Sequence, residues 1–263
     1  MITYPNAVAD SATMLRRNLR RMRRYPSLTV FIAGTPIVFL LIFVFVFGGT
    51  LGAGLGGVAG GRAEYTAYVL PGVLLITVVG AAQGTAISIA MDMSEGIINR
   101  FRTMAVARSS VLAGHVVGSV IQTMLALVLV LIVAVLIGFR PTTGPVEWLA
   151  AAGLLILAAL AVSWLSVAMG MSTKSVETAS NLPLPLILLP FLGSGFVPTG
   201  SMPGPVRWFA EHQPFTAIME TLRGLLLGTG IGADAVIATG WCVAITVGGY
   251  VWSTYLYNRD PIR

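Results

Sequence analysis

Between two strongly apolar segments the chain reads FVPTGSMPGPVRWFAEHQPFTAIMETLRGLLLG, residues 196–228. Prolines interrupt its first half at positions 198, 203 and 205, and another stands at position 214. Because proline lacks the backbone donor that a continuing helix needs, the pattern predicts two short helices, around 205–212 and 216–227. Short broken helices beside a bilayer need protein or water around their freed backbone groups. We therefore expect a re-entrant helical hairpin within residues 197–234.

The composition places this hairpin in a membrane protein. Of 263 residues, 56% are hydrophobic and only 10% are charged. Uncharged apolar runs of about 20 residues recur along the chain, and this is the length that crosses a bilayer as a helix. The single cysteine, Cys242, excludes a disulfide framework within the chain and offers no metal-binding cluster. The sequence therefore predicts an all-α integral membrane protein.

Six apolar segments are long enough to be membrane spans. They cover residues 27–47, 68–91, 111–138, 146–171, 179–196 and 235–257. The fifth carries three prolines, so we expect it to be kinked. Residues 7–24 mix apolar positions with six arginines, which indicates an amphipathic helix on the membrane surface or, alternatively, a flexible basic tail. We expect one transmembrane domain over 1–263, with a cytoplasmic loop at 92–108 and the hairpin between spans 5 and 6.

The positions of the basic residues predict the orientation. Six spans leave both termini on one side, and that side carries twelve Lys and Arg residues against four on the other. Because positive charges accumulate on the cytoplasmic side, we expect cytoplasmic termini and an extracytoplasmic hairpin. The net charge of +6 then reflects topology and contact with anionic lipids, and we expect no nucleic-acid partner.

The sequence contains no recognisable energy-converting site. A phosphate-binding loop needs G-x-x-x-x-G-K-[ST], and the only lysine, Lys174 in GMSTKS, lacks the second glycine. ATP hydrolysis must therefore occur on another chain. An ion-driven transporter places carboxylates in mid-membrane. In this chain, five carboxylates fall at or near the ends of the predicted spans instead: Asp92, Glu95, Glu147, Glu177 and Asp234. His115 and His212 fall on opposite sides of the predicted membrane, so we expect hydrogen-bonded helix-end residues rather than a metal site.

Three motifs in the hairpin carry a resemblance to a known family. They are M-P-x-x-x-R-W at 202–208, Q-P-F-T at 213–216 and E-x-x-R-x-L-L-x-G at 220–228. Together they resemble the signature of the ABC-2 type transporter permeases, in which Asn usually stands at the position of Gln213. Among these permeases, the chain is most similar in length and character to the actinobacterial daunorubicin-resistance-type drug exporters.

The loop at 92–108 adds to this resemblance. Its segment EGIINRFRTMAVARSS resembles an acidic-to-basic element of the same family, E-x-G-T followed later by P-x-x-R. The matching positions are Glu95, Gly96, Arg100 and Arg108, while Ala107 replaces the usual proline. In the family this element is the part that an ATP-binding subunit grips; the alternative from charge alone is a plain positively charged loop.

The resemblance implies a permease subunit of an ATP-driven exporter, which is not itself an enzyme. Two copies of a cytoplasmic ATP-binding subunit would carry ATP and Mg, with no cofactor on this chain, and a second permease, identical or homologous, would complete the pathway. The cargo would be a hydrophobic or amphipathic drug or lipid, moved across a bacterial plasma membrane. The alternatives from other classes are an ion-coupled secondary multidrug transporter and a non-transporting membrane scaffold.

The residues expected to act in such a machine fall into three groups. Contact with the ATP-binding subunit is expected at Glu95, Gly96, Arg100, Arg102, Arg108, Arg16 and Arg20. The external gate is expected to contain Met202, Pro203, Trp208, Gln213, Pro214, Glu220 and Arg223. Because Glu220 and Arg223 share a helix face, we expect them to pair, either as a structural clasp or in contact with substrate. Phe39, Phe43, Phe47 and Met124 are candidates for lining the pathway, with lipid contact as the alternative.

Overall fold

The computed structural model describes residues 26–50, 62–96, 108–173 and 175–259, together with positions 16 and 24. Within these ranges the regular structure is entirely helical, as predicted. The predicted surface helix at 7–24, apart from two of its positions, and the centre of the predicted coupling loop at 97–107 lie outside the described residues. Both stay predictions.

Nine α-helices make up the described part of the chain. Helix α1, Pro26–Ile42, continues into a π-helical turn at Phe43–Phe47. The others are α2 (Arg62–Ser94), α3 (Arg108–Leu136), α4 (Pro145–Ser172), α5 (Val176–Asn181), α6 (Leu184–Leu188), α7 (Gly204–His212), α8 (Pro214–Leu227) and α9 (Asp234–Arg259). A single 3₁₀ turn, Thr199–Ser201, precedes α7.

Five of these helices are long and apolar enough to cross a membrane: α1 with its extension, α2, α3, α4 and α9. They correspond to the predicted spans 1, 2, 3, 4 and 6. The predicted fifth span is not a continuous helix, because it is divided into α5, α6 and a run of turns that reaches Phe196. Prolines at 183, 185 and 190 each remove a backbone donor, which is enough to stop a helix from propagating. We call residues 182–196 the broken segment.

Helices α2 and α4 form the centre of the bundle. In each of them 72% of the candidate span is buried, whereas the shares in α1, α3 and α9 are 28%, 33% and 17%. Two glycines of the packed helices allow the close approach. A Cβ atom at Gly170 would lie 2.6 Å from the Ala86 carbonyl oxygen, and one at Gly249 would lie 2.7 Å from the Leu165 amide nitrogen. Any side chain at either position would therefore separate α4 from its neighbours.

The bundle has two distinct ends. At one end the C-termini of α2, α4 and α9 meet the N-terminus of α3, and a small apolar cluster fills the space: Ile89, Leu112, Val116, Trp164, Val167, Met171 and Tyr257. We call this the loop end, because the 97–107 connection joins α2 to α3 there. The opposite end, which we call the hairpin end, contains Tyr65, Phe139 and α8 within the larger apolar cluster.

Candidate functional site

The two short helices predicted for the hairpin are present as α7 and α8, which meet at Gln213. Pro205 and Pro214 lie in the first turns, where a missing N–H group costs little. Helix α8 ends at Gly228, whose φ of +71° is a conformation that glycine adopts without strain. Ten of the 14 residues of α8 are buried, and the helix packs against α2, α4 and α9. In α7 only Ala210 is buried. Helix α8 is therefore part of the bundle, and α7 lies on its outside.

Gln213 connects the corner of the hairpin to the broken segment. Its Nε2 atom donates a hydrogen bond to the Leu189 carbonyl oxygen at 2.8 Å, and the residue is buried. Thr216, in the first turn of α8, donates to the Ala210 carbonyl oxygen at 2.5 Å and so fixes the angle between the two helices.

Arg223 joins three parts of the hairpin end. Its Nη1 atom lies 2.5 Å from Glu220 Oε1, and its Nη2 atom donates to the carbonyl oxygens of Ser194 at 2.7 Å and Tyr68 at 3.3 Å. The guanidinium also lies 4.1 Å from the centre of the Tyr68 ring. The side chain of Arg223 is only 12% exposed, against 36% for Glu220. The ion pair follows from the sequence spacing, whereas the bonds to α2 and to the broken segment do not.

The turn at 193–195 allows the broken segment to reach these partners. A Cβ atom at Gly193 would lie 2.5 Å from Gln213 Nε2 and 2.7 Å from Thr216 Oγ1. At Gly195 it would lie 2.7 Å from the Pro190 carbonyl oxygen and 2.8 Å from a methionine sulfur of α8. These contacts are closer than side-chain carbons tolerate. We call the contact region of Gln213, Arg223 and the broken segment the junction.

The remaining residues predicted for the gate lie further out. Met202 is half-buried and Pro203 is exposed, both between the 3₁₀ turn and α7. Trp208 is 65% exposed, and its ring stacks on that of His212 at 4.8 Å. His212 in turn contacts the Trp208 carbonyl oxygen through Nδ1 at 2.8 Å, which confirms the prediction of a hydrogen-bonded residue at a helix end. Met202, Pro203 and Trp208 have no described bond to the junction.

Phenylalanine side chains form a stack between α1 and the broken segment. The rings of Phe191 and Phe196 lie 4.6 Å apart at an interplanar angle of 13°, and those of Phe43 and Phe196 lie 4.4 Å apart. Phe39 meets Phe191 edge-on at 5.7 Å, and Phe43 meets Phe47 at 5.8 Å. We call these five residues the aromatic stack. Three of them were predicted as pathway candidates, whereas Phe191 and Phe196 were not.

A groove of about 410 Å³ runs along α1 and ends at the aromatic stack. It is lined by Val30, Gly34, Thr35, Val38 and Phe39, so its walls are almost entirely apolar. All five lining residues belong to α1, so the groove is open along one side. Met124, the fourth pathway candidate, is half-buried against the large apolar cluster and does not line this groove.

The residues predicted to contact an ATP-binding subunit are described only in part. Glu95 and Gly96 form a turn directly after α2, in which the Gly96 amide donates to the Met93 carbonyl oxygen at 3.1 Å and Gly96 has a φ of +68°. Glu95 and Arg16 are exposed, and Arg108 is the first residue of α3. Arg20, Arg100 and Arg102 lie outside the described residues. Their roles stay predictions.

His115 lies at the loop end, where its Nε2 atom is 3.1 Å from Asp92 Oδ2. The prediction of a hydrogen-bonded histidine near a helix end is therefore confirmed. Within the described ranges, no group of three or more His, Cys, Asp or Glu side chains is placed to hold a metal ion.

Comparison with known proteins agrees with this architecture. The sequence model of the ABC-2 type transporter family matches residues 11–227, which include the loop at 92–108 and both helices of the hairpin. The chain belongs to the ABC-2 type transporter family. Its membership accounts for a helical membrane protein without a phosphate-binding loop, because these chains are the membrane subunits of ABC transporters.

Two relatives from this family extend the comparison. The daunorubicin resistance ABC transporter permease protein DrrB1 of Streptomyces coeruleorubidus is 30% identical over 225 residues, covering 85% of this chain and 77% of its own. The probable doxorubicin resistance ABC transporter permease protein DrrC of Mycobacterium tuberculosis is 23% identical over 179 residues, covering 68% of this chain and 65% of its own. Both are named as permeases of drug-resistance transporters.

Proposed function

We propose that this ABC-2 membrane subunit exports hydrophobic or amphipathic molecules, with drugs of the daunorubicin and doxorubicin type as the leading candidates and lipids as the second. The observation that carries the proposal is the junction, where a proline-broken membrane segment is held by Gln213 and Arg223 of the hairpin. Such a segment can change its backbone conformation without unfolding a membrane-spanning helix. The names of the two relatives support the choice of cargo.

The proposal includes six membrane crossings, the fifth of which is irregular. The carbonyl oxygen of Ser180, near the end of α5, accepts a hydrogen bond from Gln83 of α2 at 2.7 Å. Arg223 donates hydrogen bonds to both Ser194 and Tyr68 and so links the other end of the segment to α2. Gln83 and Tyr68 are separated by about 22 Å along the axis of α2, at about 1.5 Å per residue. The chain therefore covers most of the bilayer core between these two contacts. Backbone of this kind is tolerated in a membrane where protein or a water-filled cavity surrounds it.

The orientation follows from the basic residues. Twelve of the 16 Lys and Arg residues lie in the two terminal segments or in and next to the loops that follow α2 and α4. We therefore assign the loop end and both termini to the cytoplasm and the hairpin to the outside of a bacterial plasma membrane. A re-entrant position for α7 and α8 is part of the same proposal, supported by the burial of α8.

The hairpin acts as the outer gate. In the closed state Arg223 holds the broken segment against α2, and Gln213 holds it against the hairpin corner. The described residues offer no hydrogen-bond partner for three buried atoms at the junction, Ser194 Oγ, Gln213 Oε1 and Arg223 Nε. Burying such an atom without a partner costs about 1–3 kcal/mol, so exposure to water on opening recovers part of the cost of breaking the junction.

The aromatic stack provides the surface for cargo. The aromatic stack adjoins the junction, because Phe191 and Phe196 flank the 193–195 turn. Flat faces of Phe rings accept planar or apolar molecules without requiring a hydrogen-bond partner. The groove on α1 leads to Phe39 at the edge of the stack and supplies an apolar approach from the bilayer.

Energy comes from outside this chain. Two copies of an ATP-binding subunit, carrying ATP and Mg, would contact the cytoplasmic segments at Glu95, Gly96, Arg100, Arg102 and Arg108, together with Arg16 and Arg20. The broken segment exposes Leu184, Leu188 and Leu192 on its outer side. A second permease, identical or homologous, would cover this apolar side and so complete the enclosure of the pathway.

Co-purification and nucleotide hydrolysis test this function. When the chain is expressed with a candidate ATP-binding subunit, we expect a stable detergent-solubilised complex whose ATP hydrolysis rises severalfold with daunorubicin. Replacing the P-loop lysine of that subunit should abolish hydrolysis and leave the complex intact. A chain that never associates with such a subunit, and whose drug transport follows a proton gradient, would instead establish the ion-coupled alternative.

A further inference from the structure

A buried ionisable pair closes the loop end of the bundle. Asp92, near the C-terminus of α2, and His115, in the second turn of α3, lie 3.1 Å apart, and each residue is only 6% exposed. These two helices flank the 97–107 connection. The pair therefore joins α2 and α3 near the two helix ends that this connection links in the sequence.

Stability alone does not account for such a pair. Ile89, Leu112 and Val116, its neighbours on the same two helices, belong to the small apolar cluster of the loop end. Removing a carboxylate and an imidazole from water is costly, and well-packed apolar side chains at such positions often give equal or greater stability. Ionisable residues within membrane helices accordingly indicate a function. What the polar pair adds over an apolar one is a fixed direction and spacing between the two helices.

A line of hydroxyl groups continues the connection deeper into the bundle. Thr85 of α2 donates to Ser119 Oγ of α3 at 2.6 Å, and Ser163 of α4 donates to the same oxygen at 3.1 Å. Thr85 lies two helical turns before Asp92, and Ser119 lies one turn after His115, so both levels share the same helix faces. The polar contacts thus run about 10 Å along the bundle and reach the central helix α4.

We propose that Asp92 and His115 are positioning residues that make the loop ends of α2 and α3 move as one body, with the Ser119 hydroxyl contacts passing that movement to α4. The inference rests on the proposed function for its purpose, since an ATP-binding subunit that displaces the 97–107 connection needs a rigid attachment to the spans. Without the pair, the same displacement would separate α2 from α3 and leave the junction at the far end closed.

The test uses the full chain in complex with its ATP-binding subunit. The central variant is Asp92→Leu with His115→Leu, which removes both members of the pair. The control is Thr77→Val, because Thr77 is a buried hydroxyl of α2 whose hydrogen bond goes to Val73 of its own helix at 2.8 Å. The reversed pair, Asp92→His with His115→Asp, restores the polar contact with the histidine on α2 and the aspartate on α3.

Two readouts separate positioning from packing. The first is the number of drug molecules moved per ATP hydrolysed in liposomes. We expect at least a tenfold fall in the double-Leu variant, with ATP hydrolysis and the thermal unfolding midpoint little changed. We also expect recovery of more than half of the coupling in the reversed pair and no change in Thr77→Val.

The second readout does not depend on transport. Spin labels at Ser94→Cys and Val117→Cys, in a Cys242→Ser background, measure the distance between α2 and α3. We expect one narrow distance distribution in the parent, a broad one in the double-Leu variant, and a narrow one in the reversed pair. If the parent transports nothing with ATP, the proposed function fails, and the distance distributions still decide whether the pair fixes the two helices.

The inference is overturned if the double-Leu variant keeps both its coupling ratio and its narrow distribution. If that variant does not fold, His115→Gln replaces it, with the same loss of coupling and broadening expected. A folded His115→Gln protein that matches the parent in both readouts would equally overturn the inference.

Discussion

Replacement of Arg223 tests whether the junction holds the broken segment in place. In Arg223→Met the side chain keeps an unbranched apolar stem but loses the guanidinium group and its hydrogen bonds to Ser194 and Tyr68. A hydrogen bond from a charged donor contributes about 1.5–3 kcal/mol, and the contact with the Tyr68 ring adds about 0.5–1 kcal/mol. The partly exposed pair with Glu220 adds little. The bond to Tyr68 is long at 3.3 Å and is left out of the sum, so the 2.7 Å bond to Ser194 and the ring contact together give a loss of about 2–4 kcal/mol at the junction.

This free energy has a direct observable in amide hydrogen exchange. If the broken segment opens locally, a loss of about 2–4 kcal/mol raises the exchange rate of residues 189–196 by about 30-fold to 1,000-fold. The loop end should exchange as in the parent. Arg223→Lys should fall between the two, because an ammonium group keeps the charge but lacks the planar fork that reaches two carbonyls.

The control for this experiment is Arg207→Met. Arg207 makes a comparable ion pair with Glu211 at 2.7 Å on α7, but both side chains are exposed. Its loss should cost about 0.3–0.5 kcal/mol and leave the exchange of residues 189–196 unchanged. The reasoning is refuted if the Arg223 and Arg207 variants exchange this segment at the same rate.

Other predictions follow from the same contacts. In Gly193→Ala the new methyl would lie 2.5 Å from a buried amide nitrogen, so we expect a loss of about 1–3 kcal/mol and a lower thermal midpoint; Gly200→Ala, with open space around it, should be neutral. Phe196→Leu removes one aromatic face of the stack; if that face contacts an aromatic drug, the loss of one such contact, about 0.5–1.5 kcal/mol, should raise the KM for the drug about 2-fold to 12-fold, whereas an unchanged KM, or an equal rise in Phe209→Leu, would contradict a role for the stack. A cysteine at Ser201, an exposed residue, should react with membrane-impermeant reagents from outside intact cells only, and labelling from the cytoplasm would reverse the topology.

The long helices were predictable because the bilayer imposes a simple requirement. A run of about 20 uncharged apolar residues correctly locates five of the six predicted spans, and the prolines correctly separate the two short helices α7 and α8, although α8 begins at Pro214 and not at the predicted residue 216. The broken segment shows the limit of this reasoning. Hydropathy detects that residues 179–196 are apolar, but three closely spaced prolines convert an expected kink into a change of backbone conformation, which a hydropathy window does not register.

The candidate site was predictable only within single helices. The spacing of Glu220 and Arg223 predicts their ion pair, because both lie on one helix. The bonds from Arg223 to Ser194 and Tyr68 join residues 29 and 155 positions apart, and no local pattern indicates such contacts. Gly-Ser-Gly at 193–195, shortly after a proline, was the one available signal that another element approaches this backbone closely.

Which aromatic and polar side chains face each other between helices depends on how each helix is rotated about its own axis. Phe39 and Phe43 lie four positions apart on α1, so their common face was visible, but Phe191 and Phe196 lie on a segment with no helical period. In the same way, His115 was expected to find a hydrogen bond, whereas its partner Asp92 became evident only from the packing of α2 against α3.

Vectorial transport by the reconstituted complex tests the central claim most directly. Proteoliposomes containing this chain and its ATP-binding subunit, with the nucleotide sites outward, should accumulate daunorubicin when ATP and Mg are added. Accumulation should stop when the P-loop lysine of the partner is replaced, and an imposed proton gradient without ATP should drive none. Drug accumulation that follows the proton gradient and ignores ATP would contradict the account.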